Sequence, residues 1–471
     1  MKLIGRETEI GILNKCINSE KSEFIAVYGR RRVGKTFLIR THFGNTFQFQ
    51  LTGIANTDTE RQLLNFNTAL AIYKKQQVEP IAKNWFEAFQ QLRTYLEGLK
   101  TKKKVIFIDE LPWLDTPKSD FVQSLEHFWN SWAAHEKNIK LIVCGSAANW
   151  MLNKLINAKG GLHNRVTVRI KVNPFTLKEC KQFLTAKSIA WNDFQIVTAY
   201  MALGGIPYYL DFINKGWRAN QAIDALFFEE NAALKDEFQN LYASLFRNEK
   251  KHVAAVKALS TKNKGLTRSE LITVSGLSNG GSTTQILDEL EQCGFIRKYT
   301  PIGKKNRDSL YQLTDQYTLF YYKFIENKTS GNGSWVKQAD SPLFKAWSGY
   351  AFEQVCLCHV KNIKSALGID GIQTEVSSWT SSTSEKGAQI DLVIERKDQV
   401  INVCEMKFST TPFTITKAYA ENLRNKLGTF RLETKTKKAV FLTLITTYGV
   451  TENPYKGELV QNEIEMGALF G

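Results

Sequence analysis

Residues 24–36 read Phe-Ile-Ala-Val-Tyr-Gly-Arg-Arg-Arg-Val-Gly-Lys-Thr, and the apolar residues Leu38 and Ile39 follow closely. A short β-prone run therefore enters a glycine-containing loop, and the loop leads into a helix. The loop carries the pattern G-x-x-x-x-G-K-[ST], which binds phosphates when it lies between a strand and a helix. The stretch predicts an α/β domain with the loop at the end of one strand.

This loop, called the P-loop below, is expected to hold the phosphates of a nucleotide. Its glycines let backbone N–H groups surround the phosphates, and the following helix N-terminus adds partial positive charge. Lys35 reaches the β- and γ-phosphates, and the Thr36 hydroxyl binds magnesium. We therefore expect ATP and magnesium as the ligands. The nucleotide-binding residues of the loop are Gly29, Arg30, Arg31, Arg32, Val33, Gly34, Lys35 and Thr36.

Two further apolar runs are typical of buried strands that end in polar residues. The first, residues 105–108, ends in Asp109 and Glu110. We assign Asp109 to magnesium and Glu110 to the general base that polarises the attacking water. The second run, residues 140–144, leads to Ser146, which would either sense the γ-phosphate or serve as a simple turn residue. Strands that alternate with helices predict a parallel sheet.

Two motifs outside the P-loop resemble those of a known family. Ile4-Gly5-Arg6-Glu7 with Glu9 looks like the opening signature of the STAND branch of AAA+-related ATPases, and Gly204-Gly205-Ile206-Pro207 looks like its GxP motif. With the P-loop, they resemble the archaeal-type ATPase family over about residues 1–240. The resemblance implies a P-loop core over residues 1–173 and a helical lid over residues 174–244. The residues implied to line the adenine side are Gly5, Arg6 and Pro207.

An arginine segment further along also fits this family. Residues 160–165 read Gly-Gly-Leu-His-Asn-Arg, and the resemblance implies that Arg165 touches the γ-phosphate, within the chain or across a contact between two copies. Arg169 is the alternative candidate for this role. A further alternative is that Arg165 is a surface arginine without a nucleotide role. The sequence is thus compatible with a homo-oligomer.

Residues 245–330 are typical of a winged-helix domain. A helix over residues 250–260 precedes Thr267-Arg268-Ser269-Glu270, a capping box that opens a second helix. A third helix with one apolar face follows, and then a hairpin with a basic tip. Such domains place the third helix in a DNA groove and the hairpin on phosphates, so we expect DNA binding, with a protein-contact module as the alternative. The basic tip residues are Lys304, Lys305 and Arg307.

The remaining part, residues 340–471, carries separated carboxylates in apolar surroundings. Glu353 lies in an apolar helical stretch, where a buried carboxylate is costly unless it is paired or bound to a cation. Asp391 lies on one strand of a predicted hairpin, and Glu405 and Lys407 alternate onto one face of the next strand.

This set resembles the PD-(D/E)xK nuclease superfamily, with Ile390 standing where the motif name has proline. The resemblance implies a restriction-endonuclease-like α/β domain in αβββαβ order. Glu353, Asp391 and Glu405 would hold magnesium or manganese, which activates water and steadies the transition state. Lys407 would orient that water or help to deprotonate it. A nuclease fold without cleavage activity is the alternative.

The amino-acid composition and the net charge limit the partners and the cellular location that we expect for this protein. The formal net charge is +16, and residues 241–339 carry the densest excess, net +7, which suits a polyanionic partner. The N-terminus lacks the apolar stretch of a secretory signal, and no run approaches the ~20 apolar residues of a membrane span, so we expect a cytoplasmic protein without membrane contact. The seven dispersed cysteines do not suggest disulfides, and Cys356-x-Cys358-His359 is read as part of a buried helix face.

The leading interpretation is a protein that binds and hydrolyses ATP, binds DNA, and cleaves DNA with a divalent metal under nucleotide control. One alternative is a STAND-type signalling switch in which residues 340–471, called the tail below, are nuclease-like but catalytically inactive. Another is a DNA-binding regulator whose only chemistry is ATP hydrolysis.

Overall fold

The computed structural model describes residues 3–44, 46–76, 80–157, 164–246, 248–326, 335–338, 341–381 and 387–471. The chain divides into two compact units, residues 1–173 and 174–471. Within these described ranges, no helix combines the length and the apolar character that a membrane crossing requires.

The first unit is built on a parallel five-stranded sheet, which confirms the predicted α/β class. The strand order is β2-β3-β4-β1-β5, and all neighbouring strands are parallel. β3 and β4 are buried along their whole length because they are apolar runs in the middle of the sheet. The strands are β1 (Glu23–Tyr28), β2 (Phe49–Thr52), β3 (Lys104–Asp109), β4 (Ile139–Gly145) and β5 (Val168–Lys171).

Helices flank this sheet and close a core rich in aromatic rings. Trp85, for example, contacts Phe66 and Phe121 with ring centroids 5.9 and 4.8 Å apart. Such buried rings contribute most of the apolar area in a core. The helices are α1 (Glu7–Asn18), α2 (Lys35–Phe43), α3 (Thr59–Lys74), α4 (Trp85–Glu97), α5 (Phe121–Phe128) and α6 (Ala148–Trp150).

The second unit begins with a group of helices. The first helix has a capping box in which Thr176 and Glu179 satisfy each other's backbone N–H groups. The second is apolar on most of its surface and largely buried, and it ends at Gly204 in the left-handed conformation. The helices are α7 (Leu177–Ala186), α8 (Asp193–Leu203), α9 (Pro207–Asp211), α10 (Ala219–Phe227) and α11 (Glu237–Leu245).

Three helices and a small antiparallel sheet follow. The predicted capping box is confirmed, since the Thr267 side chain accepts from the Glu270 N–H and the Glu270 carboxylate accepts in return. The predicted hairpin is also confirmed by the antiparallel pairing of its strands. The elements are α12 (Glu249–Ser260), β6 (Leu266–Thr267), α13 (Arg268–Ser275), α14 (Gly281–Gln292), β7 (Ile296–Tyr299) and β8 (Leu310–Leu313).

The chain ends in a mixed five-stranded sheet of order β13-β12-β11-β10-β9, in which β9 to β11 are antiparallel and β12 and β13 run parallel to β11. The apolar helical stretch that carries Glu353 ends at Cys358, and a second helix begins at Val360, because His359 between them leaves the helical conformation. The strands are β9 (Thr374–Thr380), β10 (Gln389–Arg396), β11 (Val400–Lys407), β12 (Ala439–Thr446) and β13 (Val460–Glu465). The helices are α15 (Gln316–Phe324), α16 (Trp335–Gln338), α17 (Pro342–Cys358), α18 (Val360–Ala366), α19 (Lys417–Thr434) and α20 (Pro454–Leu459).

Candidate functional site

The P-loop joins β1 to α2 and has two positions that require glycine. Gly29 has φ +147°, and a Cβ there would lie 2.2 Å from the carbonyl oxygen of Val172. Gly34 has φ +86° and is the residue directly before α2. The backbone is therefore free to curl where β1 ends, and the free N–H groups of the α2 N-terminus face the space that the loop encloses.

Lys35 is buried at the start of α2. Its ammonium donates to the carbonyl oxygens of Gly29 and Arg30, each at 2.9 Å. Among the described residues, two backbone carbonyls hold the charge inside the loop, and no carboxylate forms an ion pair with it. This arrangement suits an ammonium that exchanges carbonyl contacts for phosphate oxygens.

Thr36 and Asp109 are brought together although β4 lies between β1 and β3 in the sheet. The Thr36 hydroxyl donates to Asp109 Oδ2 over 2.8 Å. A hydroxyl and a carboxylate in contact offer the oxygen ligands that magnesium prefers. The two residues predicted to serve one magnesium ion therefore lie side by side.

Glu110 and Ser146 also meet, at the ends of β3 and β4. The Glu110 backbone is left-handed, with φ 47°, and its N–H donates to Asp109 Oδ1 over 3.0 Å. Glu110 Oε2 accepts from the Ser146 hydroxyl at 2.9 Å and from its N–H at 3.3 Å. This pairing was not predicted, because two strand ends that are adjacent in space are separated by 35 residues of sequence. These hydrogen bonds hold the carboxylate of Glu110, the predicted general base, beside Ser146, the predicted γ-phosphate sensor.

Arg6 packs against the P-loop from the opening segment. Its guanidinium donates to the Val33 carbonyl at 3.0 Å and lies 3.7 Å from Glu9. Both Gly5 and Arg6 have left-handed backbones with φ 65°. Of the predicted adenine-side residues, Arg6 thus contacts the loop itself, and Pro207 opens α9 in the second unit.

The segment with the arginine predicted to contact the γ-phosphate is described only in part. The Gly160–His163 part of that segment lies outside the described residues. Arg165 is exposed and makes no hydrogen bond or ion pair with any residue that the structure describes. Arg169 lies on β5 with an exposed side chain.

In the second unit, the carboxylate of Glu405 on β11 is held by three side chains. Its Oε1 accepts from the Tyr419 hydroxyl at 2.6 Å and lies 2.9 Å from Lys407, and its Oε2 accepts from Lys426 at 2.5 Å. Burial opposes ionisation, but the two ammonium groups and the tyrosine lower the Glu405 pKa to about 2. Glu405 is therefore ionised and fully paired, and Lys426 is a site residue that the sequence did not reveal.

Glu353 and Asp391 differ from Glu405, because their pKa values are raised whereas the pKa of Glu405 is lowered. Burial and repulsion from Asp391 and Glu405 raise the Glu353 pKa to about 8. Burial and repulsion from Glu405 also raise the Asp391 pKa, although Gln389 donates to its Oδ1 at 2.6 Å. Leu392 pairs with Cys404 across the antiparallel strands β10 and β11. In this register, Asp391 and Glu405 form the next residue pair.

The predicted three-carboxylate metal site is not formed in this arrangement. Over the ranges that the structure describes, no group of three or more His, Cys, Asp or Glu side chains could hold a metal ion as it stands. The physical reason is that Lys407, Lys426 and Tyr419 already occupy the oxygens of Glu405. Glu353 and Asp391 do line one cleft together.

His359 is buried and has a structural role, but it lies directly after α17 and Cys358 is exposed, so the predicted buried helix face holds only for Cys356. Its Nδ1 lies 2.8 Å from the Val355 carbonyl, and its Nε2 accepts from the Leu177 N–H at 3.1 Å. This assigns the proton to Nδ1. The seven cysteines are all free.

Comparisons with known proteins agree with the first unit's geometry. A family model described as an ATPase domain predominantly from Archaea matches residues 3–213. An uncharacterized protein of Methanocaldococcus jannaschii is 25% identical over 398 residues, which are 83% of this chain and 83% of that protein. The Walker-type ATPase of Pyrococcus abyssi matches with a TM-score of 0.50 and 17% identity, over 68% of this chain and 96% of that one. The Aeropyrum pernix ORC2 protein, solved in ADPNP–ADP complexes, gives a TM-score of 0.41 and 14% identity, over 68% and 93% of the two chains.

Residues 3–213 therefore match an ATPase-domain family found predominantly in Archaea, and the fold is that of a P-loop ATPase. The family match supports ATP binding and hydrolysis.

The role of Glu110 gives a first prediction. Glu110→Gln should bind ATP with unchanged affinity and hydrolyse it about 10²–10⁴-fold more slowly, because a neutral amide still accepts from Ser146 but cannot take a proton. Nucleotide titration and steady-state turnover measure the two effects. Glu60→Gln, an exposed glutamate on α3, is the matched control. Turnover at the wild-type rate in Glu110→Gln would remove Glu110 from the reaction.

Proposed function

We propose that this protein binds and hydrolyses ATP, binds DNA, and cleaves DNA in a divalent-metal-dependent reaction under nucleotide control. The observation that carries the cleavage part is the placement of Glu353 and Asp391 on one cleft, with Glu405 and Lys407 on the strand beside it. The order of elements, a helix, three antiparallel strands, a helix and a parallel strand, is the order expected of a PD-(D/E)xK domain.

The donor set fits a hard divalent cation in chemistry and charge. Glu353 and Asp391 carry raised pKa values because they are buried and repelled, and a cation would relieve that repulsion. Glu405 can join them once an ammonium contact is exchanged. When bound, the cation would polarise the phosphate and activate water. Lys407, which pairs with Glu405 at 2.9 Å, would position that water.

DNA binding rests on charge and on the hairpin between β7 and β8. Its tip residues Lys304, Lys305 and Arg307 are exposed and available to phosphates. The surrounding segment is the most basic part of the chain.

Nucleotide control has a physical route within the second unit. Helix α8 ends at the Gly204–Pro207 motif, which by family resemblance lies on the adenine side. At its other end, Phe194 stacks on Phe408 with centroids 5.1 Å apart and planes 13° apart. Phe408 directly follows Lys407 and also contacts Phe352, the neighbour of Glu353. A shift of α8 would therefore act on both elements that carry the proposed cleavage residues.

A nucleotide-dependent switch with an inactive tail is the second candidate. The complete pairing of Glu405 by Lys407, Lys426 and Tyr419 favours it, because a satisfied ion cluster can serve structure alone.

Metal binding distinguishes the proposed metal-dependent nuclease from the switch with an inactive tail. In nucleotide-free protein, magnesium or manganese should raise the melting temperature of the wild type, because the cation binds only the folded carboxylate pair. Glu353→Gln should lose this rise, whereas Glu375→Gln, an exposed glutamate on β9, should keep it. No rise in the wild type would favour the switch with an inactive tail.

A further inference from the structure

The third helix of the predicted winged-helix segment, α14, has an acidic outer surface. Its 12 residues include the carboxylates of Asp288, Glu289 and Glu291 and contain no lysine or arginine. Asp288 is exposed and forms no hydrogen bond or ion pair with any residue that the structure describes. A helix inserted into a DNA groove lies between two rows of phosphates, which would repel these carboxylates. The charge of α14 therefore opposes insertion into a groove.

The side chain of α14 that is best suited to reading a base is already engaged. Gln285 is exposed, and a glutamine amide reads adenine by donating and accepting at the same time. Its Nε2 donates to Glu289 Oε1 at 2.8 Å, one helical turn away. The other oxygen of Glu289 lies 2.6 Å from Nε2 of His252 on α12. A contact between Gln285 and a base would have to compete with this hydrogen bond.

The hairpin beside α14 carries the opposite charge. Lys298 and Tyr311 face each other across β7 and β8, and the Lys298 ammonium lies 5.7 Å from the centroid of the Tyr311 ring. Lys298 is exposed, and its ammonium has no hydrogen-bond acceptor or ion-pair partner within the described ranges. At about 3.3 Å per residue, the hairpin tip begins roughly 20 Å from Lys298. Lys298 and the tip residues Lys304, Lys305 and Arg307 are called the basic strip below.

The other face of the hairpin is attached to the tail. Gln312 alternates with Tyr311 and therefore lies on the opposite face of β8. Its Nε2 donates to the Tyr350 hydroxyl of α17 at 3.4 Å. Directly before the tip, the Ile302 N–H donates to the Ser378 carbonyl of the edge strand β9 at 2.9 Å. Because these contacts fix the hairpin, little conformational freedom is lost when a ligand binds its outer face.

The chemistry of this outer face favours a duplex over a separated strand. Proteins that bind single strands stack the bases on open aromatic rings. Tyr311, the ring beside the basic strip, is only partly exposed and has the Lys298 ammonium above it. The basic strip itself offers ammonium and guanidinium groups, which bind phosphates. This combination suits a ligand whose phosphates point outward and whose bases are already paired.

We propose that the outer face of the hairpin, from Lys298 to the tip, binds the phosphate backbone of duplex DNA, and that α14 stays outside the groove. Binding is then independent of base sequence, because phosphate contacts carry no sequence information. The inference rests on the proposed function, whose DNA binding it assigns to one surface. It requires neither a metal ion nor cleavage.

The experiment measures equilibrium binding of the full chain to two fluorescent duplexes of equal length and unrelated sequence. EDTA is present, so that metal-dependent cleavage is stopped while phosphate contacts remain. Lys298→Ala should weaken binding to both duplexes by the same factor, about fivefold, and should make the slope of log affinity against log salt shallower by about 0.9. Lys250→Ala, which removes an exposed lysine from α12, is the matched control and should bind like the wild type.

Variants of α14 test whether this helix stays outside the groove. Gln285→Ala and Asp288→Asn should bind both duplexes with wild-type affinity, because neither side chain would touch DNA. If α14 read bases instead, loss of one such contact would change the ratio of the two affinities about tenfold.

Two results would overturn the inference while DNA binding itself stands. One is wild-type binding by Lys298→Ala, and the other is a changed ratio of the two affinities in either α14 variant. If the wild type binds neither duplex, the inference fails together with the DNA-binding part of the proposed function. Cleavage is measured separately in magnesium, so none of these results decides it.

Discussion

Lys35→Ala should reduce ATP affinity by roughly 30-fold or more, because truncating one partner of a buried charge pair costs about 2–5 kcal/mol. The structure places this ammonium inside the P-loop, 2.9 Å from two loop carbonyls. No other side chain of the loop occupies that position. Isothermal titration with ATP and magnesium measures the change.

Two controls distinguish lost binding from lost folding. Lys100→Ala removes an exposed lysine from the same unit and should bind ATP like the wild type. The melting temperature of nucleotide-free Lys35→Ala should stay within a few degrees of the wild type, since only two loop hydrogen bonds are removed. Wild-type ATP affinity in Lys35→Ala would contradict the P-loop assignment.

The second large effect concerns the tail. Lys407→Ala should lower magnesium-dependent DNA cleavage by about 10²–10⁴-fold while keeping the metal-induced rise in melting temperature, because Lys407 acts on water and is not a cation ligand. Asp391→Asn should lose both cleavage and the metal response. The amide still accepts from Gln389, and it removes a buried, repelled charge, so the metal-free protein should be at least as stable as the wild type.

Asp398→Asn serves as the control for Asp391→Asn, because it replaces an exposed aspartate in the turn that joins β10 to β11. It should cleave DNA and respond to metal like the wild type. If Asp391→Asn keeps the full metal response, the cation binds elsewhere, and the tail carboxylates are strand-end charges.

The parts of the site that lie close together in sequence were predictable. The P-loop needs one strand, one loop and one helix start, and residues 24–36 encode all three. The acidic pair at 109 and 110 follows an apolar run, which gives a buried strand directly. The parallel sheet follows from strands alternating with helices.

Contacts between distant segments were not predictable in this way. Ser146 reaches Glu110 only because β4 lies beside β3. Lys426 lies 21 residues beyond Glu405 on a helix, and nothing in its local sequence distinguishes it from other surface lysines. Lys426 changes the chemistry most, because its ammonium pairs with the Glu405 carboxylate, to which the family resemblance assigned a metal. Only the fold showed that a loop lysine, Lys264, shares a cleft with Glu353.

We propose that ATP at the P-loop controls metal-dependent cleavage of DNA by the tail. The most direct test is the initial rate of cleavage of single-stranded and plasmid DNA in magnesium, with and without ATP, for the wild type and Lys35→Ala. We predict cleavage that depends on ATP in the wild type and does not respond to ATP in Lys35→Ala. Absence of cleavage under every condition, or a rate in the wild type that is the same with and without ATP, would contradict the account.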